Sequence, residues 1–161
     1  MTKITNYGSK YYVCATPQNA PLNAVAFAAL TWVEIGSVGN RGDIGADDNI
    51  INYSTMGEAV QSKAKGQKDA GSFEIEAAYE ATDAGQILMR TAASTRLKYA
   101  VKVEYADAPA SGASPKNTIK YVLALIGGPT HSGGGVDDFV VETYSVNVTD
   151  QDVVTVPASA S

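Results

Sequence analysis

The chain has few of the residues on which most catalytic and metal sites depend. Its 161 residues include one cysteine and one histidine. A single cysteine excludes an intramolecular disulfide framework, and the apolar run around Cys14 favours a buried, unreactive thiol. His131 cannot complete a histidine-based metal site alone, and no nucleophile motif such as G-x-S-x-G accompanies it. The sequence therefore predicts no enzymatic activity, no metal and no cofactor.

Basic residues are also scarce, particularly in the last quarter of the chain. Twelve Lys and Arg stand against 17 Asp and Glu, for a net charge of −5. No Lys or Arg follows Lys120, while several acidic residues do. Because an acidic surface repels phosphates, this balance excludes tight, charge-driven binding of nucleic acid.

Long apolar runs are absent as well. Stretches such as Tyr121–Ile126 are far too short to span a bilayer, and the first ten residues lack the apolar segment of a signal peptide. We expect a soluble protein that is made in a cytoplasm and has no membrane partner.

The remaining composition predicts a single, mainly β domain covering residues 1–161. The 15 glycines and the many Ala, Ser, Thr and Val residues favour sheets joined by turns. Residues 1–8 are polar and predict an N-terminal arm, and residues 150–161 end in a small, polar C-terminal tail. We count six to eight strands and one helix.

The clearest strand pattern begins at Gly71 and has a period of two. One face carries apolar residues and the other carries carboxylates. The apolar positions are Phe73, Ile75, Ala77 and Tyr79, and the acidic positions are Glu74, Glu76 and Glu80. Such a strand is half buried, so its acidic face must meet water or a wet channel.

The period then changes to that of a helix. Asp83, with Gln86 three residues later, resembles a capping box, and the helix is predicted to end near Ser94. The residues predicted to pack against the sheet are Ala84, Ile87, Leu88 and Ala92.

Further strands are predicted before and after this unit. The segments are 10–16, 31–38, 97–105, 119–126 and 139–148, the last of which is predicted to be the final strand. Residues 24–30 fit a helical turn or a buried strand equally. Residues 119–126 are apolar on both faces, which fits a central strand or a subunit interface. The glycine-rich segment 127–135 is predicted to be a mobile loop.

The strand at residues 97–105 alternates cleanly, with Tyr99 and Tyr105 among its core-facing positions. Its outward lysines, Lys98 and Lys102, would pair with Glu74 and Glu76 if the two strands were adjacent.

The segment from Gly39 to Gly71 is the least typical part of the chain. It is rich in Gly, Asp and Lys and too polar to form a core of its own, yet it is too long for a simple connector. Residues 50–54 and 59–64 could form short strands within it. A floppy hairpin and a functional extended loop are both open on this evidence.

Taken in order, these features resemble the major tail tube proteins of long-tailed bacteriophages over residues 30–150. The shared order is a strand, an Asp-rich loop leading to a Ser or Thr, a Lys-Gly turn, a strand that opens with D-x-G-x-hydrophobic, and a helix that begins with Asp-Ala. The matching positions are Asp47, Asp48, Ser54, Thr55, Lys65, Gly66, Asp69, Gly71, Phe73, Asp83 and Ala84. The 127–135 segment has no counterpart in this order.

The resemblance implies a β-sandwich or partly closed barrel with one flanking α-helix and a long extended loop or hairpin. It also implies that six copies form a ring and that rings stack into the tail tube, the conduit through which DNA enters the host cell. The implied partners are further copies of the chain, a tape measure protein, and tail tip and terminator proteins. Genome DNA would pass without specific binding. The implied location is the tail of a virion assembled in the host cytoplasm.

Two sets of residues gain expected roles from this resemblance. Contacts between subunits or rings are expected at the extended 39–71 segment, specifically at Ile44, Asp47, Asp48, Ile50, Ile51, Tyr53, Met56 and Val60. The carboxylates of Glu74, Glu76 and Glu80 are expected on the inner wall of the tube. The alternative for these glutamates is an outer, solvated face, because alternation does not say which way a face points.

Two other classes of function remain open from the residues alone. One is a β-sandwich module of a fibre or adhesin that binds carbohydrate or a receptor, which would need an exposed aromatic platform. The nine tyrosines of the chain keep it open. The other is a small hydrolase with an unrecognised site, which the solitary histidine disfavours.

Overall fold

Ten strands and two helices form the part of the chain that this computed structural model describes, residues 3–161. The strands are β1 (Lys10–Cys14), β2 (Trp32–Glu34), β3 (Val38–Arg41), β4 (Asp47–Tyr53), β5 (Ser62–Asp69), β6 (Ser72–Ala78), β7 (Tyr99–Glu104), β8 (Ile119–His131), β9 (Val141–Val148) and β10 (Val154–Val156). The helices are α1 (Ala24–Ala28) and α2 (Ala84–Ser94). The predicted arm at residues 1–8 begins outside the described residues, and its remaining residues are exposed and lead into β1.

Eight strands form one antiparallel sheet in the order β2-β1-β7-β8-β9-β6-β3, with β10 added beside the first residues of β8. The sheet is not closed into a barrel: β2 and β3 lie at its two edges although they follow each other in sequence. The chain turns between them at Ser37, which has a φ of 57°. The mainly β class with a flanking helix is therefore confirmed, with more strands than predicted and a second, short helix.

Side chains cover the sheet on both sides of its β1–β7–β8 half. On the inner face, β1, β6, β7, β8 and β9 contribute to one continuous apolar core that α2 closes. The outer face carries a smaller cluster, in which the rings of Phe27 from α1 and Tyr121 from β8 stack 5.0 Å apart. Ile119–Ile126 is thus a central strand of the sheet, with most of its side chains covered within the chain.

Helix α2 begins where the sequence predicts, and Leu88 and Ala92 of its predicted buried face pack against the core. Ala84 and Ile87 do not, because the helix is rotated slightly away from them. Asp83 caps it, accepting hydrogen bonds from the backbone N–H groups of Gln86 at 2.8 Å and Gly36 at 3.1 Å. A Cβ on Gly85 would lie 2.0 Å from the carbonyl oxygen of Glu34, so the first turn rests directly on β2. This close approach turns Met89 into the core and leaves Ile87 46% exposed.

Two further predictions around this helix were wrong for related reasons. Ala84 is exposed, because the contact with β2 is made by Gly85 beside it. Tyr79 is 47% exposed instead of core-facing, since β6 ends at Ala78 and the alternation stops with it. The Tyr79 ring lies under the guanidinium of Arg90, 4.9 Å from the ring centroid.

The pairing of Lys98 and Lys102 with Glu74 and Glu76 required adjacent strands, and that condition is not met. Strands β8 and β9 lie between β7 and β6, so these side chains cannot meet across neighbouring strands. Lys98 pairs with Asp150 instead. The Lys102 ammonium lies 4.0 Å from the centroid of the Tyr12 ring and 5.4 Å from that of Trp32, a residue that packs against the outer cluster.

The last third of the chain is more ordered than its composition predicts. Residues 127–131, predicted to begin a mobile loop, continue β8 beside β9 after a register shift. Strand β9 starts at Val141 rather than at Phe139, and it is not the last strand. The tail at residues 150–161 contains β10 and a bridge between Lys116 and Ser159.

A buried polar network ties α2 to β9. Glu142 is fully buried, and its carboxylate accepts hydrogen bonds from Arg90 Nε at 2.9 Å and from the Tyr144 hydroxyl. Arg90 also donates to the side chain of Gln86, whose amide donates to the carbonyl oxygens of Gly36 and Ala78. The network satisfies the polar groups that the helix and the strand bury together.

These contacts shift the ionisation of the network. Burial alone would raise the pKa of the Glu142 carboxyl, but the hydrogen bonds from Arg90 and Tyr144 outweigh it and lower that pKa below its ordinary value. Burial, followed by the hydrogen bond to Glu142, raises the pKa of the Tyr144 hydroxyl. Glu142 is therefore ionised and paired at neutral pH.

Because α2 buries Met89 and exposes Ile87, replacing each of these residues by alanine should change the free energy of unfolding by different amounts. Met89→Ala should lower the free energy of unfolding by about 2–5 kcal/mol, because it removes a fully buried side chain from the core. The matched change Ile87→Ala, on the exposed side of the same helix, should change it by less than about 0.5 kcal/mol. Urea unfolding of the two variants measures both; equal losses would contradict the rotation.

The buried network predicts a pH dependence of stability. Because the pKa of Glu142 is lower in the folded than in the unfolded chain, its contribution is present above the unfolded value of about 4.3 and is lost as pH falls through the folded value. Glu142→Gln should cost about 3–5 kcal/mol at pH 7, since Arg90 loses its buried partner. It should also flatten the decline of stability below pH 4.3.

Chemical unfolding of both proteins between pH 7 and pH 3 measures this dependence. Glu58→Gln, at the exposed turn between β4 and β5, is the control that removes one carboxylate without removing a buried contact. A Glu142→Gln profile parallel to that of the wild type would show that Glu142 does not titrate as argued.

Candidate assembly surfaces

The most conspicuous surface is a projecting two-stranded hairpin formed by β4, β5 and their connection, residues 47–69. We call it the arm hairpin. Its strands pair from Asp47 with Asp69 to Tyr53 with Ser62, and they belong to no larger sheet. The sequence correctly anticipated strands within the 39–71 segment, although residues 39–41 belong to β3 in the main sheet. An isolated two-stranded hairpin is marginally stable in water, so a second surface is needed to cover it.

The arm hairpin exposes apolar side chains on both of its faces. Ile50 and Ile51 are consecutive, hence on opposite faces, and they are 46% and 54% exposed. Toward the tip, Tyr53, Met56 and Val60 are 69%, 110% and 79% exposed. No layer of the described chain covers these residues.

Ile44 does not belong to this surface. The sequence analysis expects it to make contacts as part of the 39–71 segment, but it packs against the main core and precedes β4. Asp47 and Asp48 lie at the base of the arm hairpin, where Asp48 accepts a hydrogen bond from Lys65 Nζ at 2.6 Å. That bond lowers the pKa of Asp48. The two aspartates thus belong to the attachment of the arm hairpin rather than to its exposed tip.

The base of the arm hairpin is tied to the main sheet. Lys68 Nζ lies 2.5 Å from Asp152, and this hydrogen bond lowers the pKa of the Asp152 carboxyl. Gly71 has a φ of 79°, and a Cβ there would lie 2.8 Å from the carbonyl oxygen of Gly45. Glycine is therefore required where the chain leaves the arm hairpin and enters β6. The attachment fixes the arm hairpin at the Ser72 end of β6.

A second surface is the outer face of β3, β6 and β9, which we call the polar face. No helix covers it, in contrast to the β1–β7–β8 half. Glu74 and Glu76 point outward between buried Phe73, Ile75 and Ala77, as the alternation predicts. Glu74 lies opposite Ser145 and Glu76 opposite Thr143, so acidic and small hydroxyl side chains share this face.

The polar face contains a shallow cleft of about 400 Å³. None of its lining residues is basic; they are Asn40, Gly42, Asp43, Ser72, Phe73, Glu74, Glu76 and Ser145. Asn40 donates a hydrogen bond to Glu76 at 3.4 Å. Glu80 lies outside this face, because β6 ends at Ala78 and Ser37 donates a hydrogen bond to the Glu80 side chain in the following turn. Two of the three predicted acidic residues are therefore brought together.

Among residues 3–161, no three His, Cys, Asp or Glu side chains are placed to hold a metal ion. His131 Nδ1 lies 3.8 Å from the Glu142 carboxylate, at the end of β8, where that carboxylate is already bound to Arg90. No helix of the described residues is long and apolar enough to cross a membrane.

Glu142 is not predicted from the sequence, where it counts only as one of several acidic residues after Lys120. The signal was present in the alternation of β9, where Glu142 shares the buried face with Tyr144 and Val146. A carboxylate at a core-facing strand position indicates a buried partner, here Arg90 of α2.

No protein-family model matches this sequence, and no curated protein matches it. Several solved structures do resemble the fold across nearly its whole length. A chain of the baseplate of the anti-feeding prophage, symmetrised six-fold, aligns with a TM-score of 0.68 at 10% identity and covers 98% of this chain and 97% of its own. A chain of the PVC sheath–tube complex, from an extracellular contractile injection system, aligns with a TM-score of 0.66 at 12% identity, covering 96% and 92%.

The tail tube of SPP1 gives a third likeness, with a TM-score of 0.65 at 14% identity, covering 95% of this chain and 78% of that one. At such low identities the likeness concerns the fold. The resemblance to tail tube proteins inferred from the sequence is therefore confirmed at that level: the chain has the fold of these tube and baseplate components.

Proposed function

We propose that this chain is the structural subunit of a tail tube. Six copies form a ring, rings stack into a tube, and the tube conducts DNA from a virion into a host cell. The observation that carries the proposal is the arm hairpin, whose exposed Tyr53, Met56 and Val60 have no cover within the described chain. The fold likeness to components of phage tails and contractile injection systems supports the same reading.

The role is mechanical rather than enzymatic. Within residues 3–161 the outer edge of β3 has no partner strand, and such an edge is available for contacts between neighbouring copies. Each copy repeats its contacts around the ring, so a modest free energy per contact is multiplied. Where binding also fixes the backbone of the arm hairpin, the loss of conformational entropy costs about 1–2 kcal/mol for each residue fixed.

The polar face is proposed to line the tube. An inner wall carrying Glu74 and Glu76 from every copy would repel the DNA backbone and let it slide without binding. Glu80 is not part of this wall, because it lies in the turn beyond β6. A tape measure protein inside the tube and terminator or tip proteins at its ends are the further partners of this proposal.

A carbohydrate- or receptor-binding module fits the structure less well. Such a module needs several exposed aromatic rings on one platform. The exposed aromatic side chains are Tyr7, Tyr53, Tyr79 and Phe139. Of these, Tyr79 and Phe139 belong to adjoining segments, and two rings are fewer than such a platform needs. The remaining tyrosines are buried or partly buried.

The tube proposal predicts a specific loss when the arm hairpin is removed. Replacing residues 49–67 by Asn-Gly joins Asp48 to Lys68, which already face each other in the hairpin register, through a two-residue turn. The Lys68–Asp152 pair remains. The shortened protein should stay folded with an unchanged melting temperature, but it should form no tubes under conditions in which the full chain does.

Negative-stain electron microscopy and size-exclusion chromatography measure this outcome. A matched variant keeps the arm hairpin and changes its exposed tip, with Tyr53, Met56 and Val60 all replaced by serine; it should fail in the same way. The control Val25→Ser removes an apolar side chain that is 78% exposed on α1, outside the arm hairpin, and should assemble normally. Normal tubes from the shortened protein would rule out the assembly role.

The lumen assignment predicts where a label appears in the tube. A heavy-atom maleimide on Glu74→Cys should give density at the inner radius of a cryo-electron microscopy map. The same label on Ile87→Cys, exposed on α2 on the other side of the sheet, should lie at a larger radius. Density for the Glu74→Cys label on the outside of the tube would exclude the acidic lumen without contradicting the proposal that the chain forms a tube.

A further inference from the structure

The loop at residues 132–140, which joins β8 to β9, has an unusual surface. Val136, Phe139 and Val140 are 101%, 85% and 50% exposed, and Tyr79 beside them is 47% exposed. Apolar groups exposed together at a loop mark an interaction site more often than scattered single residues do. Nothing in the proposed tube role assigns a function to this loop.

The loop is held in one shape although its apolar residues face outward. Asp138 accepts a hydrogen bond from the Gly135 N–H at 2.7 Å, and Ser132 Oγ accepts one from the Val141 N–H at 2.9 Å. The Tyr79 N–H donates to the carbonyl oxygen of Val140 at 2.9 Å. A preorganised apolar surface loses less conformational entropy on binding than a floppy one.

The position of the loop relative to the arm hairpin is fixed by one strand pair. The arm hairpin enters β6 at Ser72, opposite Asn147 of β9, while the 132–140 loop enters β9 at Val141, opposite Ala78. The two ends are separated by the length of a seven-residue strand, about 20 Å. The two apolar surfaces therefore lie at opposite ends of the sheet in one chain.

Two copies of the chain arranged end to end would bring these surfaces together. Both surfaces expose apolar side chains, and although Glu58 lies in the turn of the arm hairpin, each surface also offers one partner of a local ion pair. Lys63 of the arm hairpin is exposed and has no ion pair among the described residues. Asp137 is exposed in the 132–140 loop, and the acidic Glu80 follows Tyr79. A head-to-tail contact of this type repeats without self-limitation along one axis.

We propose that the 132–140 loop, with Phe139 and Val136 at its centre, is the docking site for the tip of the arm hairpin of a copy in the next ring. Met56 and Tyr53 of the docking arm hairpin are the apolar side chains that contact the loop, and Lys63 of the same hairpin lies toward Asp137 of the loop. This inference rests on the proposed tube function and adds the receiving surface, which that function leaves unassigned.

Cysteine cross-linking tests the contact directly. Protein carrying Met56→Cys is mixed with protein carrying Phe139→Cys and mildly oxidised; the native Cys14 is fully buried and does not compete. A cross-linked dimer is expected in the mixture and in neither protein alone. A mixture of Met56→Cys with Val25→Cys, the matched control, should give none. Absence of the dimer in the first mixture, or cross-links in Phe139→Cys alone, would overturn the proposal.

The chain that carries both Met56→Cys and Phe139→Cys shows which copies are joined. Contacts between rings should give a ladder of denatured species extending beyond six subunits, because each chain joins the ring above and the ring below. A ladder that stops at six or fewer would place the contact within one ring and overturn the inter-ring assignment.

A second readout uses assembly itself. Phe139→Ser should raise the protein concentration required for tubes by about tenfold or more, while leaving the melting temperature unchanged, because the side chain is exposed in the free chain. Val136→Ser is the substitute if Phe139→Ser lowers the melting temperature, and Val25→Ser is the control for both. Unchanged assembly of a variant with a normal melting temperature would contradict the docking site.

Failure of this inference can be told from failure of the tube function. Wild-type protein that forms neither rings nor tubes defeats the tube function, and a cross-link between the Met56→Cys and Phe139→Cys variants in soluble oligomers would still support the contact. Normal wild-type tubes, together with no cross-link between those two variants, would leave the tube function intact and exclude the docking site.

Discussion

The unbroken antiparallel pairing of β6 with β9 determines the position of every surface described above. Its seven residue pairs run from Ser72 with Asn147 to Ala78 with Val141. Because side chains alternate along this ladder, Phe73 and its neighbours close the core while Glu74 and Glu76 form the polar face. The same ladder holds the arm hairpin at one end and the 132–140 loop at the other. A shift of one residue would turn the apolar side chains outward and bury the carboxylates.

The network around Glu142 fixes the orientation of the helix on this frame. A buried carboxylate is tolerated only where hydrogen bonds and an opposite charge compensate for lost solvation, and Arg90 and Tyr144 provide them. The network joins α2 to β9 close to the start of the 132–140 loop. The 132–140 loop is therefore attached to a well-packed part of the molecule, in agreement with the hydrogen bonds that hold its backbone.

The sequence predicted features that depend on neighbouring residues. The alternation of β6, the cap at Asp83 and strands within the 39–71 segment all follow from local patterns, and the structure contains each. What it missed depends on distant parts of the chain. The rotation of α2 is set by the approach of Gly85 to β2, and the separation of Lys98 from Glu74 is set by the order of strands in the sheet.

The exposed surfaces were harder to predict than the core for the same reason. Spacing alone grouped Ile44 with the arm hairpin, but only the folded chain shows that Ile44 packs against the core while Met56 does not. Similarly, glycines at 127 and 128 suggested a loop, yet β9 supplies a partner strand that extends β8 to His131. Composition indicates which segments are too polar to form a core, whereas the partner of each segment depends on long-range contacts.

Covering the arm hairpin within one chain would require a third strand or a helix on one of its faces. The described chain has neither, since α1 and α2 both pack on the main sheet. The exposed apolar residues at the two ends of the β6–β9 ladder are therefore left for another molecule. In the proposed tube, a second copy would cover both ends with one contact, and repetition of that contact along the ladder direction would produce a column rather than a closed dimer.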